Sequence, residues 1–230
     1  MIWDEHEVVN DFCFDQPKSH LDDITAQIAL SVYIEYQDNL QINPAVDTIN
    51  WVKLYGNTMI ITMERTYSEP NLDEIRQNMK VYPEATQFIL ASAGSILPGP
   101  GHKFFPLTFL IELYTMVFDW LNENNQRKAL LVGGDLHLGC LGSISNGDRS
   151  FYLASASPIS NQPTLDHFSL SRQLRLSRQL NEIMIYHPIE SRARRCYLQV
   201  TTDLEPTMIW ADKVITSHPI KYVETLVAFS

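Results

Sequence analysis

A chain of 230 residues, 45% hydrophobic and 19% charged, is long enough to bury a substantial core, and its length suits one domain. A net charge of −10 and a pI near 5.1 argue against a general nucleic-acid binder. Three scattered cysteines, Cys13, Cys140 and Cys196, form no C-x-x-C pair and give no disulfide framework.

The chain opens on Ile2-Trp3-Asp4-Glu5-His6-Glu7-Val8-Val9-Asn10-Asp11. An acidic, solvated terminus is one reading of this run. Trp3, Val8 and Val9 are apolar, however, so a structured segment that presents carboxylates around His6 is the other. A basic n-region and an apolar h-region are both lacking, so the expectation is a start without a secretory signal, with the compartment unknown and cytoplasmic by default.

From Ser19 to about Asn39 the spacing of Leu21, Ile24, Ile28, Val32 and Tyr36 predicts a helix with one apolar stripe facing the core. Residues 50–54 and 58–63 read as strands joined through Tyr55-Gly56-Asn57, a hairpin signal. Arg65 follows the second strand. It could clamp an anionic oxygen or pair with Glu64 or Glu69 at the surface. Asn71 and Glu74 form a capping pattern that starts a short helix reaching Met79. Gln87 to Ser92 is an apolar strand, ended by a run with three glycines and two prolines up to His102.

Pro106 to about Asn122 predicts the strongest helix, with Leu110, Leu113, Val117, Trp120 and Leu121 on a wide apolar face. The apolar stretch from Phe104 to Leu121 carries Glu112 and Asp119, so it reads as a buried helix and not a membrane span. Ala129 to Val132 then suits a buried strand. Gly133 and Gly134 allow a tight turn or a close approach. If the chain stays extended, Asp135 and His137 share one face and offer a carboxylate and an imidazole together. Such a pair suits metal ligation or acid–base work, or else a strand-end turn with a packed histidine.

Asn146-Gly147 marks a turn and Phe151 to Ala154 a strand. Ser155-Ala156-Ser157-Pro158-Ile159 is a small-residue run suited to backbone lying near a site. Residues 166–180 read as loop or helix, with Arg172, Arg175 and Arg178 spaced by three and Arg192, Arg194 and Arg195 beyond. The arginines suit an anion or a salt-bridged surface. From about residue 181 the chain reads as β-rich, with strands at 182–186, 197–202, 207–211 and 221–228.

Taken in order, four of these pieces resemble PhoD-like phosphatases of the calcineurin-like metallophosphoesterase superfamily. Trp3-Asp4-Glu5-His6-Glu7-Val8-Val9-Asn10 resembles the W-D-D-H-E-x-x-N segment of that family. Gly134-Asp135-Leu136-His137 resembles its G-D-V-H segment, Leu54 to Tyr67 its D-T-R-x-Y strand, and Ser155 to Ile159 its S-P-I turn. Glu5 stands where the family usually has a second aspartate, and Met63-Glu64 replaces Asp-Thr.

The resemblance implies an α/β fold: a metallophosphoesterase-like sandwich of two mixed β-sheets flanked by helices, here forming a single partial domain over residues 1–230. It implies hydrolysis of phosphate mono- or diesters by a metal-activated water. The implied cofactors are divalent or trivalent metal ions in a two-metal site, with Fe, Ca, Mn and Zn equally compatible. Asn10, Asp135 and His137 would be metal ligands and His6 the general acid or charge stabiliser. Asp4 or Glu5 would orient His6, and Arg65 would hold a substrate oxygen. The family's first motifs would precede Trp3, so the expectation is a catalytic domain lacking its N-terminal part, with poor or absent activity. The alternative is a catalytically inactive remnant or interaction module of the same fold. The expected partner is a small phosphate-ester substrate, with neither nucleic acid nor a membrane span.

Overall fold

A computed structural model describes residues 20–33, 50–65, 70–99, 105–157, 174–177, 183–192 and 196–210. Three helices and ten strands lie within them. In chain order these are α1 (His20–Tyr33), β1 (Val52–Tyr55), β2 (Thr58–Met63), α2 (Leu72–Asn78), β3 (Gln87–Ser92), α3 (Leu107–Asn122) and β4 (Lys128–Gly133). There follow β5 (Leu138–Asn146), β6 (Arg149–Ser157), β7 (Leu174–Ser177), β8 (Ile183–Arg192), β9 (Cys196–Val200) and β10 (Pro206–Trp210).

Eight strands form one mixed sheet in the order β1-β2-β3-β4-β6-β5-β8-β7, and β9 and β10 form an antiparallel ribbon. Strands β2, β3, β4 and β6 are parallel neighbours, so their carboxyl ends share one edge. The steps from β2 to β3 and from β3 to β4 move the same way across the sheet. With crossovers of one hand, that puts α2 and α3 on the same face, and both helices contribute to one hydrophobic cluster. The ribbon covers the other face: Cys196, Leu204 and Met208 pack with Leu130, Leu141 and Ala154. The architecture is therefore mixed α/β, a large mixed sheet flanked by helices, as expected. Among the described residues the second sheet is the two-stranded ribbon. No helix among them is long and apolar enough to cross a membrane.

Local chemistry fixes the helices. The side chain of Asn71 accepts from the amides of Asp73 and Glu74, satisfying two orphan donors at the start of α2. Ten residues of α3 are buried, among them Leu110, Leu113, Val117 and Trp120. The last turn of α3 contains no basic residue. Its carbonyls are served from outside: Arg127 donates to the Trp120 carbonyl at 2.9 Å and Arg149 to that of Leu121, and Arg149 also donates to Asn124 and Asn125 in the turn that follows. Phe118 and Tyr114 then meet Phe151 of β6 at ring-centroid distances of 5.0 and 5.8 Å.

Two expectations need correction, and one strand carries no mark in the sequence. The stripe on α1 does not face the core: Ile24, Ile28 and Val32 are 41%, 61% and 50% exposed, while Ala26 is buried. Residues 174–177 are strand, neither loop nor helix, and the alternating Leu176 is buried against the core. Strand β5, unmarked by any β-branched run, spans nine residues and lies between β6 and β8 in the antiparallel half of the sheet. The expected strand at 221–228 lies outside the described residues.

Burial also places four weak acids in or beside the core. It pushes the thiols of Cys140 and Cys196 up to about 11 and raises the phenols of Tyr114 and Tyr186. These groups stay protonated in the fold while the unfolded chain loses protons above about pH 9. The unfolded state then binds fewer protons, so stability falls as pH rises. Urea midpoints measured from pH 7 to 11 are expected to be flat to about pH 8.5 and to decline between about 9 and 11. Alkylation of native Cys140 and Cys196, followed by mass spectrometry, is expected to be slow at pH 8 and rapid in urea.

Candidate functional site

The carboxyl edge of β2, β3, β4 and β6 collects Arg65, Asp135, His137 and Ser155 of the candidate residues. Ligands in parallel sheets commonly sit outside such an edge. At the end of β2, Glu64 is buried and its amide donates to Asn50 Oδ1 at 2.8 Å. Asn50 Nδ2 in turn donates to Glu74 Oε2 at 3.1 Å, tying the strand end to α2. Arg65 follows and reaches across β3 toward β4.

Glycines make room for that reach. A Cβ on Gly94 would stand 2.7 Å from Arg65 Cδ and 2.9 Å from the Phe105 ring. Gly133 and Gly134 lie against the backbone that follows β3. A Cβ on the first would meet the Gly94 carbonyl oxygen at 2.7 Å, and on the second the Ala93 oxygen at 2.6 Å. The Gly134 amide donates to the Gly94 carbonyl at 3.3 Å.

Strand β4 stops at Gly133, and a tight turn follows in which the Leu136 amide donates to the Gly134 carbonyl at 2.8 Å. Asp135 and His137 both take left-handed backbone, with φ of 60° and 51°. Such a conformation costs on the order of 1 kcal/mol per non-glycine residue. The extended, same-face arrangement expected for this pair is therefore overturned. Two glycines let the chain reverse before the carboxylate arrives, and Leu136, buried between the pair, anchors the turn in the core.

Arg65 Nη1 donates to Asp135 Oδ2 at 2.5 Å, and the two side chains are only 14% and 10% exposed. Spacing in the sequence offers Glu64 and Glu69 as partners; the structure brings in Asp135 from 70 residues away. Ser155 pairs across from Gly133, and Ser92 across from Met63 in the same row. Both serine hydroxyls are buried without a hydrogen-bond partner among the described residues. Ser92 and Gly94 were not singled out from the sequence; the only signal was the glycine-rich run after β3.

Other candidates fall elsewhere. Asp4, Glu5, His6, Asn10, His102, Pro158 and Ile159 lie outside the described residues, as do Arg172, Arg178, Arg194 and Arg195. Arg192 pairs with Glu190 at 2.7 Å and stacks over Trp210, which is surface chemistry. A cavity of about 310 Å³ between α2 and α3 is lined by Arg76, Met79, Lys80, Trp120 and Arg127 and shares no residue with the cluster at the carboxyl edge.

No protein-family model matches the chain, and no curated protein matches it. A solved structure described as "Structure of PhoD" is similar to it, with a TM-score of 0.57 at 14% identity, over 90% of this chain and 46% of that one. The two share a fold. This chain spans just under half the length of that structure.

The metal ions that the sequence resemblance implies would need several protein donors at this edge. Asp135 and His137 are donors of suitable kinds. Among the described residues, however, no three His, Cys, Asp or Glu side chains cluster closely enough to hold an ion. One oxygen of Asp135 already faces the permanently charged guanidinium of Arg65. The described donor set does not fit a two-metal centre.

Proposed function

We propose that this chain handles phosphate esters at the carboxyl edge of β2, β3 and β4, and hydrolyses them weakly or not at all on its own. The observation that carries this reading is the convergence of Arg65 with the Asp135–His137 turn at that edge, on a fold shared with a structure described as PhoD. A guanidinium has five donors in a fixed fork, a geometry matched to phosphate oxygens. Here one of those donors serves Asp135.

The stronger form of the reading is a metal-dependent phosphatase or phosphodiesterase. In it Asn10, Asp135 and His137 would be donors and His6 the acid, oriented by Asp4 or Glu5. It is favoured by the shared fold and disfavoured by the described donor set. The weaker form, an inactive remnant or interaction module, is favoured by the Arg65–Asp135 pair.

The test is hydrolysis of aryl phosphate monoesters and diesters by the full chain with added Mn²⁺, Fe or Ca²⁺, alongside His137→Ala, with melting temperature read against inorganic phosphate. Turnover near background in both proteins, with phosphate raising the melting temperature, is the expected result. Robust turnover that disappears in His137→Ala would establish the metal-dependent enzyme instead. Neither turnover nor stabilisation by phosphate would leave the interaction module.

A further inference from the structure

We infer that Asp135 serves in this chain as the fixed counter-ion of Arg65, and that the guanidinium takes the place at this carboxylate that a metal cation would otherwise fill. Three independent features place the pair there. Arg65 extends from the end of β2 over Gly94, the one residue type that leaves its Cδ room. Asp135 is delivered by a left-handed turn that Leu136 anchors in the core. The two charges meet at 2.5 Å with both side chains largely out of solvent.

A carboxylate removed from water must be neutralised by a nearby cation or bear a large desolvation cost. Arg65 supplies that cation permanently, because a guanidinium does not lose its proton in proteins. A divalent ion added beside it would face a like charge in a poorly hydrated place, where repulsion is strong. The same pair ties the ends of β2 and β4 across β3 and opposes the strain of the Asp135 turn. The edge therefore needs no metal ion to keep its shape.

The experiment measures binding of Mn²⁺ alone to the full chain by calorimetry, together with urea midpoints, for wild type, Asp135→Asn, Arg65→Met and the double variant. Wild type and Asp135→Asn should agree within about twofold in Mn²⁺ affinity, or neither should bind; each single variant should lower the urea midpoint, and the double should fall little below the worse single. Gly94→Ala, which displaces Arg65 while keeping both charges, should lower the midpoint in wild type and much less in the Arg65→Met background. A tenfold or greater loss of Mn²⁺ affinity in Asp135→Asn, or fully additive midpoints, would overturn the inference. If Arg65→Met does not fold, Asp135→Asn alone decides through Mn²⁺. Neither readout uses a phosphate ester, so this result is separable from the functional reading above.

Discussion

Gly134→Ala is expected to destabilise the fold by about 2–3 kcal/mol, a large effect for the addition of one methyl group. The new Cβ would stand 2.6 Å from the Ala93 carbonyl oxygen and 3.6 Å from its carbon. That oxygen is backbone and is held from both sides. The Ala93 amide donates to the Met63 carbonyl at 3.1 Å, and β3 is in register with β4 from Gln87 to Ala91. Relief therefore requires spreading the ends of two paired strands, and no rotamer change can supply it. Gly56 and Gly147 provide the comparison. Both have positive φ, 61° and 58°, but nothing within 4 Å of a built Cβ, so alanine there should cost about 1 kcal/mol for backbone strain alone. Urea unfolding of the three variants checks the ranking, with the slope expected to stay constant. Spreading the strand ends would also shift the turn that carries Asp135 and His137. Gly134→Ala should therefore weaken stabilisation by inorganic phosphate, and Gly147→Ala should not.

The comparison between glycines shows what a single sequence can convey. Gly56 was legible because Gly-Asn between two β-rich runs is a local signal, and the hairpin closes there with Tyr55 opposite Thr58. The Asn71 cap and helix α3 were legible for the same reason: their determinants lie within one or two turns of chain. Gly94 makes room for Arg65, 29 residues earlier, and Gly134 for the Ala93 carbonyl, 41 residues earlier; the sequence marks glycines that permit a close approach but not what approaches. The partner of Arg65 was out of reach on similar grounds. Spacing favoured neighbours, while topology brought Asp135 to it along the carboxyl edge. The Asp135–His137 pair shows a different limit. A two-residue spacing implies a shared face only if the backbone stays extended, and the preceding glycines are what release it. Helix α1 is present where periodicity puts it, but its stripe is exposed, because periodicity shows that a stripe exists and does not say whether a neighbour covers it. Strand β5 was missed because Leu-Gly-Cys-Leu-Gly-Ser lacks β-branched residues at most positions. Its glycines are there to admit neighbours: Trp210 and Cys196 against Gly139, and Tyr186 against Gly142.

Arg127→Met is expected to cost about 3–4 kcal/mol while leaving the carboxyl edge intact. Arg127 precedes β4 at the amino edge of the parallel strands, and its side chain is 8% exposed. Its guanidinium donates to the Trp120 carbonyl at 2.9 Å and to the Pro83 carbonyl at 3.1 Å, pairs with Glu123, and stacks 4.5 Å from the Trp120 ring centroid. Methionine matches the stem but none of the donors. Two carbonyls then lose their arginine donor at about 1–2 kcal/mol each, and the cation–π contact goes with them. The ion pair contributes little of this, because Glu123 is 66% exposed and water screens it. Glu123→Gln should accordingly cost less than 1 kcal/mol. Arg127→Lys should fall between the two, since one ammonium cannot span both carbonyls as a planar fork does. Urea midpoints in the order wild type, Glu123→Gln, Arg127→Lys, Arg127→Met would identify the carbonyl bridge as the source of the stability. A midpoint for Glu123→Gln as low as that for Arg127→Met would assign it to the ion pair instead. Because this bridge sits at the end of the sheet away from Arg65 and Asp135, inorganic phosphate should raise the melting temperature of Arg127→Met by as much as it raises that of the wild type. In Gly134→Ala the same addition should have a smaller effect, so the two substitutions separate stability from site geometry.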